Sequence, residues 1–311
     1  MIEEQFNRRL DNKKSYLDYF VNLYLDNKLP KAFLLLGEKG TGKLNFIYHL
    51  INFILSQNEE NKYDLKSYSI KPDNKTFKLL SQNSHPNFFL ISPRKNKKNI
   101  EISQIKEMQT YLNMTSFNKI PKIVLINGSE YLNLSSSNAL LKSLEEINEN
   151  VFFILIHDVK KYLIPTIKSR CIKFNFILNE NERINRINYL LNNQYDILSN
   201  DFKNKYINPI FFKDLLNYCE INDLHLKNIN LETLFDYIFS KQNYKKNEFL
   251  TNNFFSLVQL YIYKCIKHNL DKEKYFSMLK YFTKRFDDVI KYNLDFESYV
   301  LEFKYLIYNE K

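Results

Sequence analysis

A chain of 311 residues is long enough for two or three domains with sizeable cores, and its 44% apolar and 26% charged content is ordinary for a globular protein. Three cysteines, Cys171, Cys219 and Cys265, are odd in number and far apart, which excludes a disulfide framework and a C-x-x-C zinc spacing. The net charge of +10 suits nucleic-acid phosphates but carries little weight, because the excess is scattered lysine in a chain also rich in Asn, Ile, Phe and Tyr, a bias that an AT-rich genome would supply.

The N-terminal stretch is polar and lacks the apolar core of a secretory signal, and no apolar run reaches the length of a membrane span, so a cytoplasmic protein with no membrane partner is expected. The basic run Arg94–Lys98 sits between two expected elements and reads as a solvated loop. Residues 14–27 carry Tyr16, Leu17, Phe20, Val21 and Tyr24 at helical spacing. After Pro30, the wholly apolar run Ala32–Leu36 reads as a strand buried on both faces. A glycine-rich loop follows, then a helix over 44–56. Residues 57–84 read as a helix-and-loop excursion. Further strands are expected at Phe88–Ile91, Ile123–Ile126, Val151–Ile156 and Ile172–Phe176. Helices are expected from Ile102, after a cap in Ser135–Ser137, and at Leu163–Ile167. Strands alternating with amphipathic helices imply a parallel α/β layer. After Phe176 only helical patterns remain, at 180–192, 211–219, 231–239, 249–268, 272–286 and 289–308, with a polar stretch at 220–230 as the best internal boundary. The expected fold is therefore α/β, then all-α.

Three of the four glycines in the chain, Gly37, Gly40 and Gly42, fall in Gly37-Glu38-Lys39-Gly40-Thr41-Gly42-Lys43-Leu44. Glycine permits positive φ and close ligand approach. G-x-x-x-x-G-K between a strand and a helix is the pattern of a phosphate-binding loop, in which backbone N–H groups, the lysine and a helix N-terminus wrap an anion. Gly37, Gly40, Thr41, Gly42 and Lys43 are thus the candidate cofactor-binding residues. The hydroxyl residue that would hold Mg²⁺ at the eighth position is replaced by Leu44. Hydrolysis also needs acidic residues at the end of a neighbouring strand, and there the chain reads Asn127-Gly128-Ser129-Glu130. Glu130 is out of register and reads as a solvated carboxylate at a helix start. His157 reads as a structural residue at a strand end. With both magnesium-handling positions lost, no metal site and no hydrolysis are expected.

Four blocks go beyond spacing: Ser84-His85-Pro86-Asn87, Ile100–Ile105, Ser137-Asn138-Ala139-Leu140-Leu141-Lys142-Ser143-Leu144-Glu145-Glu146, and Leu163–Cys171 with Thr166-Ile167-Lys168-Ser169-Arg170-Cys171. Their order and separations resemble the clamp-loader subunits of bacterial DNA polymerase III, delta-prime type, relatives of the gamma/tau subunit within the AAA+ superfamily. The likeness covers roughly residues 14–215. It implies a P-loop AAA+ parallel-sheet domain over 1–176, a small helical lid over 177–222 and a helical collar, or oligomerisation, domain over 223–311. It also implies a hetero-oligomeric ring with gamma/tau-type ATPase subunits and a delta-type subunit, a sliding clamp and primer–template DNA as partners, and a role in DNA replication. Carried over by position, Arg170 of Ser169-Arg170-Cys171 is an arginine finger reaching a neighbouring subunit's ATP. A guanidinium supplied in trans stabilises charge on a transferring phosphoryl group. The family's polar sensor residue falls near Ile156-His157-Asp158 and its lid arginine near Asn208-Pro209-Ile210, and neither is present. Residues 51–84 contain no cysteine, so no zinc is expected. ATP or ADP held without hydrolysis is compatible with the loop. The alternative is an ATP-hydrolysing gamma/tau-like subunit, which Leu44 and Asn127-Gly128 argue against.

Overall fold

The structure is a computed structural model that describes residues 7–10, 12–94, 97–114, 120–204, 207–240, 247–268, 271–292 and 294–309. The chain divides into two compact units, Met1–Glu182 and Arg183–Lys311.

The first unit is built on a five-stranded, wholly parallel sheet in the order β2-β3-β4-β1-β5. In chain order its elements are α1 (Lys14–Leu25), β1 (Ala32–Gly37), α2 (Lys43–Leu55), α3 (Lys75–Ser81), β2 (Phe88–Ile91), α4 (Ile102–Asn113), β3 (Lys122–Asn127), α5 (Leu134–Glu145), β4 (Val151–Asp158), α6 (Pro165–Arg170) and β5 (Ile172–Asn175). Alternate residues of a strand face opposite sides of the sheet. Phe33, Leu35, Ile123, Leu125, Ile154 and Ile156 therefore join one buried cluster, with Phe20 of α1 and Phe46, Ile47, Leu50 and Ile54 of α2. Leu34, Val124, Ile126, Phe153 and Leu155 join a second, with Ile105 and Met108 of α4, Leu140 and Leu144 of α5 and Ile167 of α6. The continuous apolar runs of the inner strands are what two-sided burial requires.

Two local expectations need correction. The cap of α5 is Asn133, whose Oδ1 accepts the Ser136 N–H at 2.8 Å, so Ser135–Ser137 lie inside the helix rather than before it. β4 runs two residues past Ile156, because His157 and Asp158 continue the ladder opposite Leu36 and Gly37. The expected fifth strand is present as β5, which pairs with β1 and is largely exposed at the sheet edge. In the basic run the described residues form an exposed loop, as expected, with Arg94 paired to Glu107 at 2.7 Å and Lys97 to Glu101 at 3.2 Å, while Lys95 and Asn96 lie outside the described residues.

The second unit is all-helical: α7 (Glu180–Leu190), which starts in the first unit, α8 (Pro209–Ile221), α9 (Leu231–Ser240), α10 (Glu248–His268), α11 (Lys272–Tyr292) and α12 (Phe296–Asn309). One buried cluster runs from Ile187 to Ile307, with Phe211, Phe212, Phe254, Phe282, Tyr299 and Phe303 fully enclosed. The expected break between 286 and 289 does not occur, because α11 continues to Tyr292 with Phe282 and Val289 on its buried side and Phe286 stacked on Phe255 at 4.6 Å. Among the described residues no helix is long and apolar enough to cross a membrane.

Candidate phosphate-loop site

The loop lies between the C-terminal end of β1 and the start of α2, with β1 standing between β4 and the edge strand β5. Its second and third glycines adopt the left-handed conformation, Gly40 at φ 83° and Gly42 at φ 93°, the latter at the N-cap of α2. The first glycine has a different reason to be glycine. A Cβ on Gly37 would lie 2.7 Å from the Phe176 carbonyl oxygen and 3.2 Å from Lys43 Cδ, so the chain leaving β5 crosses too close for a side chain. Gly37→Ala is expected to lower stability by about 1–3 kcal/mol, the usual cost of overpacking. A urea melt compared with wild type checks this, and an unchanged midpoint would mean that the crossing relaxes freely.

Lys43 is 6% exposed. Its Nζ donates to the carbonyls of Gly37 at 2.7 Å and Glu38 at 2.6 Å, and the Thr41 hydroxyl also donates to Glu38 O, at 2.8 Å. Burial pushes the Lys43 ammonium down to about 8, against the opposing pull of Asp158, Glu130 and Glu38. Lys160 pairs with the Glu38 carboxylate at 3.3 Å.

Glu130 departs from expectation. It is not a solvated carboxylate but is largely buried in the short 3₁₀ turn Ser129–Tyr131 that follows β3. It accepts the Asp158 N–H at 3.2 Å and lies 3.4 Å from His157 Nδ1. Burial acts to raise its carboxyl, but the His157 ring and backbone N–H groups, including that of Asp158, hold it below the ordinary carboxylate range. His157 is 2% exposed, with Nε2 donating to the Lys161 carbonyl at 3.2 Å and Nδ1 3.2 Å from Ser129 Oγ. It ties the ends of β3 and β4 together, the structural role expected of it. Gly128, where an acid would handle metal, turns the chain at φ 90°, and a Cβ there would meet the Tyr131 ring at 2.6 Å. The turn that carries Glu130 thus requires glycine at that position.

The backbone fits a phosphate group. Gly40 and Gly42 turn the loop in the left-handed conformation, and the first N–H groups of α2 have no intrahelical acceptor. Magnesium does not fit: Leu44 packs against the apolar cluster of α1 and α2, and the strand end at Asn127-Gly128 bears no carboxylate. Among the described residues no group of three or more His, Cys, Asp or Glu is placed to hold a metal ion.

Arg170, the other expected site residue, closes α6. Its Nη1 donates to the Thr166 carbonyl at 3.1 Å and its Nη2 pairs with Glu145 at the end of α5. The side chain keeps a third of its surface open to solvent. Cys171, just after it, is buried, and burial pushes its thiol up to about 11, which suits packing rather than nucleophilic chemistry. Sequence reasoning missed Asp158 and the link from Glu130 to it. A cavity of about 340 Å³ is lined by Tyr16, Asn175, Ile177, Asn179 and the Lys13–Glu182 ion pair at 2.7 Å.

A family model described as "DNA polymerase III, delta subunit" matches residues 12–179. The chain is 32% identical over 142 residues to "DNA polymerase III subunit delta'" of Pseudomonas aeruginosa, covering 46% of this chain and 42% of that protein. It is 31% identical over 160 residues to "DNA polymerase III subunit gamma" of Buchnera aphidicola, covering 50% and 43% respectively. In both cases the chain spans less than half the length of the relative. A solved structure of a DNA polymerase III gamma subunit-related protein from Thermotoga maritima is similar with a TM-score of 0.42 at 17% identity, over 91% of this chain and 96% of that one.

Proposed function

The chain belongs to the DNA polymerase III delta subunit family, and on that premise we propose that it acts as a delta-prime-like subunit of a replicative clamp loader. In this reading it sits in a hetero-oligomeric ring with gamma/tau-type ATPase subunits and a delta-type subunit, in the cytoplasm, and helps place a sliding clamp on primer–template DNA. Residues 1–176 form the AAA+ domain, 177–222 the lid and 223–311 the collar through which the ring assembles.

The chain does not hydrolyse ATP itself. The observation that supports this best is the pairing of an intact cradle with a missing metal shell. Gly40, Gly42 and Lys43 keep the form of a phosphate loop, while Leu44 is half-buried against the core and Gly128 is committed to a turn. Glu130 is the one carboxylate at the end of β3, and it is engaged by His157 and the Asp158 N–H. A hydrolytic phosphate loop depends on Mg²⁺ to neutralise developing charge, and these residues do not supply its ligands. ATP or ADP held through Gly37, Gly40, Thr41, Gly42 and Lys43 without turnover is the form of binding the loop supports. Arg170 acts in trans, on a nucleotide held by a neighbouring ATPase subunit.

The purified chain is expected to show no ATPase above buffer background, with or without primed DNA. Turnover that disappears in Lys43→Ala would favour the second reading, an ATP-hydrolysing gamma/tau-like subunit, for which the likeness to a gamma relative is the supporting observation.

A further inference from the structure

Both partners of the Arg170 guanidinium belong to this chain, and neither depends on it. Nη2 pairs with Glu145, the last residue of α5, and Nη1 donates to the Thr166 carbonyl at 3.1 Å. The Glu145 side chain is half exposed, so water takes over its oxygens when the guanidinium leaves. The Thr166 carbonyl also accepts the Ser169 hydroxyl at 3.0 Å and so keeps a donor. Withdrawing the guanidinium therefore leaves no buried polar group bare, which is the penalty that would otherwise hold the side chain in place.

The backbone beneath is fixed. Ile167, three positions earlier, is fully buried, and Cys171, next in the chain, is buried in the same apolar cluster. What is free to change is the Arg170 side chain, which keeps a third of its surface open to solvent.

Charge gives Glu145 a direction of action. A phosphate group takes a guanidinium through the same planar fork as a carboxylate does, and carries more charge. A phosphate and the Glu145 carboxylate thus compete for one set of donors. The carboxylate also repels a phosphate that approaches without displacing it.

We infer that Glu145 is a parking partner for Arg170: while the adjoining ATPase subunit is empty, the carboxylate holds the guanidinium against α5, and the phosphates of a nucleotide bound there draw it away. This rests on the reading of Arg170 as acting in trans and adds a control on that action. The apparent affinity of the adjoining site for ATP is lowered in proportion to the parked population, and an exposed pair withholds a factor of about two to five.

The test is the ATPase of a reconstituted loader on primed DNA, measured over a range of ATP concentrations. Glu145→Ala is expected to lower KM by about two- to fivefold and to leave kcat unchanged. Glu145→Gln should fall between it and wild type, because the amide keeps an acceptor and loses the charge. In a loader that already carries Arg170→Ala, adding Glu145→Ala is expected to shift nothing, since no guanidinium is left to park. A KM unchanged or raised in Glu145→Ala, a lowered kcat, or a fall in KM that persists in the Arg170→Ala background overturns the parking role and leaves the in-trans reading standing. Equal kcat and KM in wild type and Arg170→Ala overturns both.

Discussion

Replacing Arg170 by alanine is expected to lower the DNA-stimulated ATPase of a reconstituted loader by about tenfold or more while leaving the chain folded. An arginine finger contributes about 10³–10⁵ to a single site in favourable cases, and its loss at one of several sites in a ring is milder. Folding should survive because the contacts of Arg170 are peripheral. It pairs with Glu145, whose side chain is half exposed, and with the Thr166 carbonyl of its own helix. A surface pair of this kind contributes about 0–1 kcal/mol. That pairing also sets up a discriminating control. If the pair with Glu145 merely fixes the α5–α6 corner, Glu145→Ala and Arg170→Ala should have the same small effect. If the guanidinium works on a neighbour's nucleotide, Glu145→Ala frees it and loader ATPase is retained, whereas Arg170→Lys stays impaired because an ammonium cannot reproduce the planar fork. A loader ATPase unchanged in Arg170→Ala would remove the in-trans role altogether.

Much of this site was legible because the relevant signals are local. Apolar runs such as Ala32–Leu36 and Ile123–Ile126 give buried strands, and a strand, three glycines and a helix give the loop. Leu44 and Gly128 depart by residue type alone from what the two expected metal-handling positions would carry. What was not legible depends on strand order. Glu130 and Asp158 are 28 positions apart, and they meet because β3 lies beside β4 with Asn127 opposite Ile156. No spacing rule along the chain encodes that neighbour relation. The extension of β4 was hidden for a similar reason: His157 and Asp158 look like loop residues, yet pairing with Leu36 and Gly37 keeps them in the ladder. In α11, Asp287-Asp288 reads as a break, but Phe282, Phe286 and Val289 hold one apolar face through it. The Asn133 cap was missed because three serines follow it and all four residues have capping chemistry.

His49 provides the second large effect, on stability rather than activity. It lies inside α2, fully buried, one turn and a half beyond the loop. Its Nε2 is 2.9 Å from the Asn7 carbonyl, an acceptor only, so Nε2 carries the proton and Nδ1 accepts from the Tyr63 hydroxyl at 2.8 Å. The neutral ring thereby fastens residues 7–10 across α2, an attachment reinforced where the Asn7 N–H meets Asn45 Oδ1 at 3.0 Å and the Ile70 N–H meets the Arg8 carbonyl at 2.8 Å. Burial lowers the imidazole to about 4, opposed by the hydrogen bond to Asn7. The folded value is below the unfolded one, near 6.5, so the contribution is fully present above pH 6.5 and is lost as pH falls toward 4. A difference of this size amounts to about 2 kcal/mol by pH 5 and about 3 kcal/mol by pH 4. Urea melts of the wild-type chain from pH 7 to pH 4.5 should show that loss, superimposed on whatever other groups contribute. His49→Gln keeps an amide donor for Asn7 and does not titrate, so the wild-type-minus-variant difference isolates the imidazole. A difference constant across the range would show that the ring takes up its proton without strain and that the N-terminal strap does not depend on its neutrality.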